Sequence, residues 1–138
     1  MGYRRQAREL ALQFLYGYEF HREDREKALE EFRADRSRPE PARRFAGELV
    51  GGVLEHLEEL DRLIAGHARH WKLDRLALVD KQILRLALYE LYYRDDIPAP
   101  VTINEAVEIA KTFSTPEAGR FVNGILDRIR EELEKDDG

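Results

Sequence analysis

Apolar residues recur along this chain at helical spacing, and nowhere with the alternation of a strand. The widest pattern lies between Trp71 and Tyr93. At about 100° per residue, Leu76, Ala77, Val79, Ile83, Leu84, Leu86, Ala87, Leu88 and Leu91 fill an arc of roughly 200°. A surface helix shows a narrower stripe, so this segment predicts a central helix covered on two flanks. Two acids interrupt the arc. Glu90 lies to one side near the helix end, whereas Asp80 falls close to the middle, where a carboxylate needs a partner.

The rest of the chain predicts helices around that one. Ala7, Leu10, Ala11, Phe14, Leu15 and Tyr18 mark an amphipathic first helix. A short one follows over about 25–35, supported by Ala28, Leu29 and Phe32, until the prolines within Ser37 to Pro41 break the chain. A long helix is expected over about 42–68, burying Ala46, Leu49, Val50, Val53, Leu57, Leu60 and Ile64. Its Gly47, Gly51 and Gly52 weaken it locally and leave room for another helix to approach closely. Beyond the central helix, Pro98 and Pro100 mark a loop. Thr102-Ile103-Asn104-Glu105 has the spacing of a capping box. It would open a helix burying Ile103, Ala106, Val107, Ala110 and Phe113. Ser114-Thr115-Pro116-Glu117 is a second start signal, followed by a helix burying Val122, Ile125, Leu126, Ile129 and Leu133. The expectation is an all-α chain with three helices before Trp71 and three from it onward. Residues 1–138 would form a single domain, made of helical subdomains 1–70 and 71–138 that share the central helix.

Composition narrows the function classes. A hydrophobic share of 43% with 37% charged residues is that of a folded, highly charged helical protein rather than a disordered one. The absence of cysteine removes disulfides and thiolate metal sites and fits a reducing cytoplasm. MGYRRQAREL has arginines where a secretory signal would be apolar, and no apolar run approaches membrane-spanning length. A net charge of −5 argues against holding nucleic acid by bulk charge. Yet residues 1–8 carry Arg4, Arg5 and Arg8 and no acid, so an anionic partner is expected at that end.

Catalytic constellations are missing: there is no glycine-rich phosphate loop, no HExxH, no Glu-x-x-His pair and no cysteine nucleophile. His67 and His70, at i and i+3, lack a third ligand nearby and suit a polar helix end better than a metal. No enzyme, metal site or cofactor is expected.

The first helix carries more information. Arg5, Arg8, Leu12 and Tyr16 line a second stripe within about 80° of one another, away from the apolar face, with Arg4 beside it. Guanidinium groups beside an aromatic ring are what single-stranded nucleic acid requires, the first for phosphates and the second for stacking a base. A solvated face with Tyr16 packed at its edge accounts for the same pattern. Phe121, about 100° off the buried stripe of the last helix, is either a flank of the core or an exposed ring.

Four segments in order, ARELALQFLY, DRLALVDKQILRLALYEL, PVTINEAVEIAK and GRFVNGILDRI, resemble the NusB family of bacterial transcription antitermination factors. The likeness spans almost the whole chain and is least distinctive from Glu23 to about Arg44. It implies two three-helix subdomains, no catalysis and no cofactor. It also implies pairing with NusE, the small-subunit ribosomal protein that doubles as a transcription factor, and binding of the boxA element of nascent RNA. With other Nus factors on RNA polymerase, such a complex suppresses premature termination, notably across ribosomal RNA operons, and the family supports ribosomal RNA maturation.

Carried onto this chain, the resemblance implies RNA-binding roles for Arg4, Arg5, Arg8, Tyr16 and Phe121, and a partner-binding role for Asp80 where NusE and RNA meet. Gln6 stands where many relatives carry another basic residue, which thins the basic cluster. Arg85 and Glu105 are expected to pair across two helices, and Lys111 either caps its helix or reaches a phosphate. Monomer and homodimer both remain open, and a dimer could bury the arginine stripe. A purely protein-binding helical adaptor is the alternative to RNA recognition.

Overall fold

A computed structural model describes residues 2–20, 22, 24–67 and 76–137. Among them the chain forms seven helices and no strand: α1 (Tyr3–Tyr18), α2 (Arg25–Ala34), α3 (Glu40–Glu55), α4 (Leu57–His67), α5 (Leu78–Tyr93), α6 (Ala99–Phe113) and α7 (Pro116–Asp137). The expected subdomain boundary between residues 70 and 71 lies outside the described residues, as do Trp71 and His70.

The central helix is α5, and it starts at Leu78. It packs against α1, α3, α4, α6 and α7. That environment explains the wide apolar arc: Ile83, Leu84, Leu86, Ala87 and Leu88 are all buried, over about 200° of the helix. Four polar side chains, Asp80, Gln82, Arg85 and Glu90, are buried with them.

The long helix expected over 42–68 is two. His56 leaves helical geometry at φ −110° and ψ 21°, and α4 restarts at Leu57 with Leu60 N–H donating to the His56 carbonyl at 2.9 Å. Four described helices therefore precede residue 68, not three. The glycines of α3 divide their roles. A Cβ at Gly52 would overlap the Tyr89 ring, so this residue sets how closely α3 and α5 approach. Gly47 and Gly51 face the Arg33 side chain of α2 instead.

The Thr102–Glu105 capping box is also corrected. Helix α6 begins four residues earlier, at Ala99, with Pro98 rather than Thr102 as N-cap and Pro100 in the first turn, where a missing N–H costs nothing. Thr102 and Glu105 lie inside the helix and spend their side chains on tertiary partners. The second start signal is used as expected: Thr115 Oγ1 accepts from Ala118 N–H at 3.0 Å. In α2, Asp24 accepts from Lys27 N–H at 3.0 Å, a side-chain cap on one of the first-turn donors.

Candidate functional site

Helix α1 runs antiparallel to α5, so its N-terminal part meets the last turn of the central helix and its C-terminal end the middle and first half. At the N-terminal end Arg8 meets Glu90; at the C-terminal end Glu19 meets Arg85 and Gln82. Each junction is an ion-pair network.

In the first, Arg8 is 4% exposed and Glu90 2%. The guanidinium donates through Nε and Nη2 to both Glu90 oxygens, at 2.9 and 2.8 Å. Thr102 Oγ1 donates to the same carboxylate at 2.9 Å, and Arg8 Nη1 lies 3.5 Å from Glu105. The placement of Arg8 on an exposed stripe is thus corrected. Leu12, expected on the same stripe, is 3% exposed and belongs to the core. The cause is that α3 and α5 both cover α1, so two faces of α1 are buried where the amphipathic pattern marks one.

Arg5 sits one turn earlier and differs. Its Nε and Nη2 donate to the two Glu105 oxygens at 2.6 and 2.5 Å, while its side chain stays 39% exposed and Nη1 has no partner among the described residues. The hydrogen bonds with Glu105 outweigh desolvation and raise the Arg5 pKa, while the same bonds lower that of Glu105. The guanidinium is thereby charged and fixed, with one edge left for solvent. Arg4 is freer: it is 3.9 Å from Asp96 and half-exposed. Its guanidinium stacks 4.5 Å from the Phe45 ring centre, where Arg8 and Arg94 also converge at 5.5 and 5.2 Å. Arg94 is itself forked onto Asp96 at 2.9 and 3.0 Å. Phe45, itself 4% exposed, and Arg94 thus support this arginine cluster from beneath, and nothing local in the sequence marks them.

Arg85 does not pair with Glu105. It forks onto Asp61 at 2.7 and 2.8 Å and reaches Glu19 at 3.0 Å, so the expected Arg85–Glu105 contact is wrong and Arg5 takes Arg85's place. Burial pushes the Glu19 pKa up, but hydrogen bonds from Arg22 and Arg85 outweigh it and hold that carboxyl at about 2. Beside this junction stand two exposed rings: Tyr16, in edge-on contact with Phe20 at 5.6 Å, and Phe20 itself, 62% exposed. From Arg5 to Tyr16 the helix rises about 16 Å, so basic and aromatic groups lie along one edge of α1 rather than at a point.

Three of the four buried polar residues of α5 find partners inside the fold: Gln82 with Glu19, Arg85 with Asp61 and Glu19, and Glu90 with Arg8 and Thr102. The fourth does not. Asp80 is 9% exposed and its Oδ1 is buried without a hydrogen-bond partner among the described residues. It lies in the first turn of α5, where the helix dipole favours a carboxylate. It lies ten positions, about 15 Å, along α5 from Glu90, the partner of Arg8. Phe121 is half-buried on α7 and packs on the core. Lys111 lies 3.7 Å from Glu108, its stem over Gly119. His67 Nε2 meets the Glu132 carboxylate, the acceptor, at 2.7 Å, joining α4 to α7. Among the described residues no cluster of three His, Asp or Glu has metal-site geometry, and no helix is long and apolar enough to cross a membrane.

An all-helical fold that lays fixed arginines and exposed rings along one edge of its first helix is built as a binding module. A model of the NusB family matches residues 5–131. The chain is 50% identical over 135 residues to the transcription antitermination protein NusB of Geobacter sulfurreducens, covering 96% of this chain and 97% of the relative. Its structure resembles Thermotoga maritima NusB with a TM-score of 0.84 at 45% identity, covering 94% and 91% of the two chains. It also resembles NusB as seen in a crystal structure of antitermination factors NusB and NusE with double-stranded RNA, with a TM-score of 0.81 at 29% identity, covering 96% and 98%. The chain belongs to the NusB family.

Proposed function

We propose that this chain is a transcription antitermination factor that binds boxA RNA together with NusE, and that the pair acts on RNA polymerase with other Nus factors. The observation that carries the RNA half is the Arg5–Glu105 fork. It fixes one guanidinium beside the half-exposed charge of Arg4 and leaves its Nη1 for a phosphate. Tyr16 and its neighbour Phe20 offer faces on which bases stack, and Phe121 serves the edge of the RNA site. Arg8, forked onto Glu90, acts through the shape of the surface rather than by touching RNA. Asp80 carries the partner half, because a buried carboxylate oxygen without a donor among the described residues suits a donor supplied from outside. The resolved complex of related NusB and NusE with RNA supports the same assembly. The reading requires no catalysis and places the protein in the cytoplasm, where nascent RNA is made.

An acidic protein with two accessible arginines on α1 neutralises few phosphates by itself, so a basic partner should enlarge the site. Titrating boxA-like RNA against a scrambled control, with and without NusE, tests this. NusE is expected to tighten boxA binding at least tenfold, about 1.4 kcal/mol. Equal affinity for boxA and scrambled RNA would instead mark a protein-binding adaptor.

A further inference from the structure

The segment 33–44 carries Arg33, Arg36, Arg38, Arg43 and Arg44 against only Asp35 and Glu40, in a chain whose net charge is −5. The fold gathers four of these arginines along an open groove of about 510 Å³ between α2 and α3, lined by Arg33, Arg36, Arg43 and Arg44 with Glu40 and Glu48; Arg38 is exposed on the connection between the two helices, its carbonyl bonded to Arg43. The two glutamates are matched, Glu40 by Arg44 and Glu48 by Arg94. Arg33, Arg36, Arg38 and Arg43 have no carboxylate within ion-pair distance among the described residues.

Two of these side chains are held in place by the backbone. Arg36 Nη1 donates to the Arg33 carbonyl at 2.8 Å, and Arg43 Nε to the Arg38 carbonyl at 2.9 Å. Each keeps further N–H groups for a ligand. The groove shares Glu40, Arg44 and Glu48 with a second hollow lined by Tyr3, Arg4 and Phe45. The arginines of α2 and α3 are therefore continuous with Arg4. No large exposed apolar side chain lines the groove, so it lacks the anchors of a protein interface and has the charge of a phosphate track.

We propose that RNA leaving the α1 site continues along this groove, and that Arg33, Arg36, Arg38 and Arg43 bind phosphates of the sequence flanking boxA on one side. The proposal rests on the α1 reading above. Its content is a flank-binding surface, indifferent to base identity, that adds affinity only to RNA longer than the core element.

The test uses the full chain with NusE and three RNAs: the core element, and the core with about eight unstructured nucleotides added at its 5′ or its 3′ end. One of the two extended RNAs should bind about tenfold tighter than the core, with a steeper salt dependence. Arg36→Gln/Arg38→Gln/Arg43→Gln should bind the core as the native chain does and lose that gain, its salt slope falling by roughly 2 for three phosphates released. Arg43 is half-buried, so Arg36→Gln/Arg38→Gln, confined to exposed positions, should lose about two-thirds of the slope change with an unaltered fold. Extension that tightens binding at neither end overturns the proposal, as does a gain that survives in both variants. If the native chain fails to bind even the core, the α1 reading falls and the flank proposal with it.

Discussion

Replacing Arg8 separates a structural arginine from an RNA-binding one. Arg8→Met keeps most of the side-chain volume but leaves Glu90, 2% exposed, with only the Thr102 hydroxyl as a donor among the described residues. Removing one partner of a buried ion pair costs about 3–5 kcal/mol, because the remaining charge is uncompensated. For a chain of 138 residues that is a fall in Tm of roughly 10–20 °C. The double variant Arg8→Met/Glu90→Met removes both charges, and Thr102 can turn its hydroxyl to a carbonyl one turn back. It should regain most of the loss, since buried pairs are often no more stable than apolar replacements. Thermal and urea unfolding of the native chain, both single variants and the double variant complete the cycle. A Tm for Arg8→Met within about 3 °C of native, or a double variant no more stable than Arg8→Met, would refute the argument. A second readout guards against a mixed role. Below its Tm, Arg8→Met should keep the native salt slope for RNA, and a drop of about 0.7 would show that Arg8 neutralises a phosphate after all.

The contrasting pair is Arg4→Ala/Arg5→Ala: the salt slope should fall by about 1.4, while the fold loses little, since exposed ion pairs contribute about 0–1 kcal/mol each; an unchanged slope would return these residues to a solvated face. Gly52→Ala places a Cβ into the Tyr89 ring, costing about 1–3 kcal/mol of overpacking against a helix gain of up to about 1 kcal/mol. Chemical denaturation should show net destabilisation that disappears in a Tyr89→Ala background, and a stabilised Gly52→Ala would refute the close approach. Glu19, held near pH 2 rather than at its usual 4.5, lends stability that is complete above about pH 4.5 and lost as pH falls toward 2. In urea midpoints measured against pH, native protein should drop across that window more steeply than Glu19→Gln, and parallel curves would mean that the Arg85 network does not hold the carboxylate.

The elements were legible because their signals are local. The 200° arc of α5, the start signal at Thr115 and the proline break before α3 each act within a few residues, where helical periodicity and capping chemistry are strong. Signals that had two uses were misread. Thr102 and Glu105 have the spacing of a capping box, but both side chains turn to partners on other helices. His56 carries no mark of a helix break; the end of α3 comes with α5 packing across Gly52 and Tyr89, and Tyr93 stacking on the His56 ring at 4.0 Å.

For the site, the sequence by itself determined that the first helix is basic on one side, that its rings include Tyr16, and that Asp80 is a carboxylate in an apolar arc. Which arginine is free was decided only by tertiary structure. Arg5 and Arg8 are chemically identical and three residues apart, yet one meets Glu105 at the surface and the other Glu90 in the core. The partners lie 100 and 82 residues away, and desolvation depends on what covers a group, which no local pattern encodes. The same holds for Asp80: its place in the arc is local, whereas the burial of its Oδ1 without a hydrogen-bond partner among the described residues follows from the packing around α5.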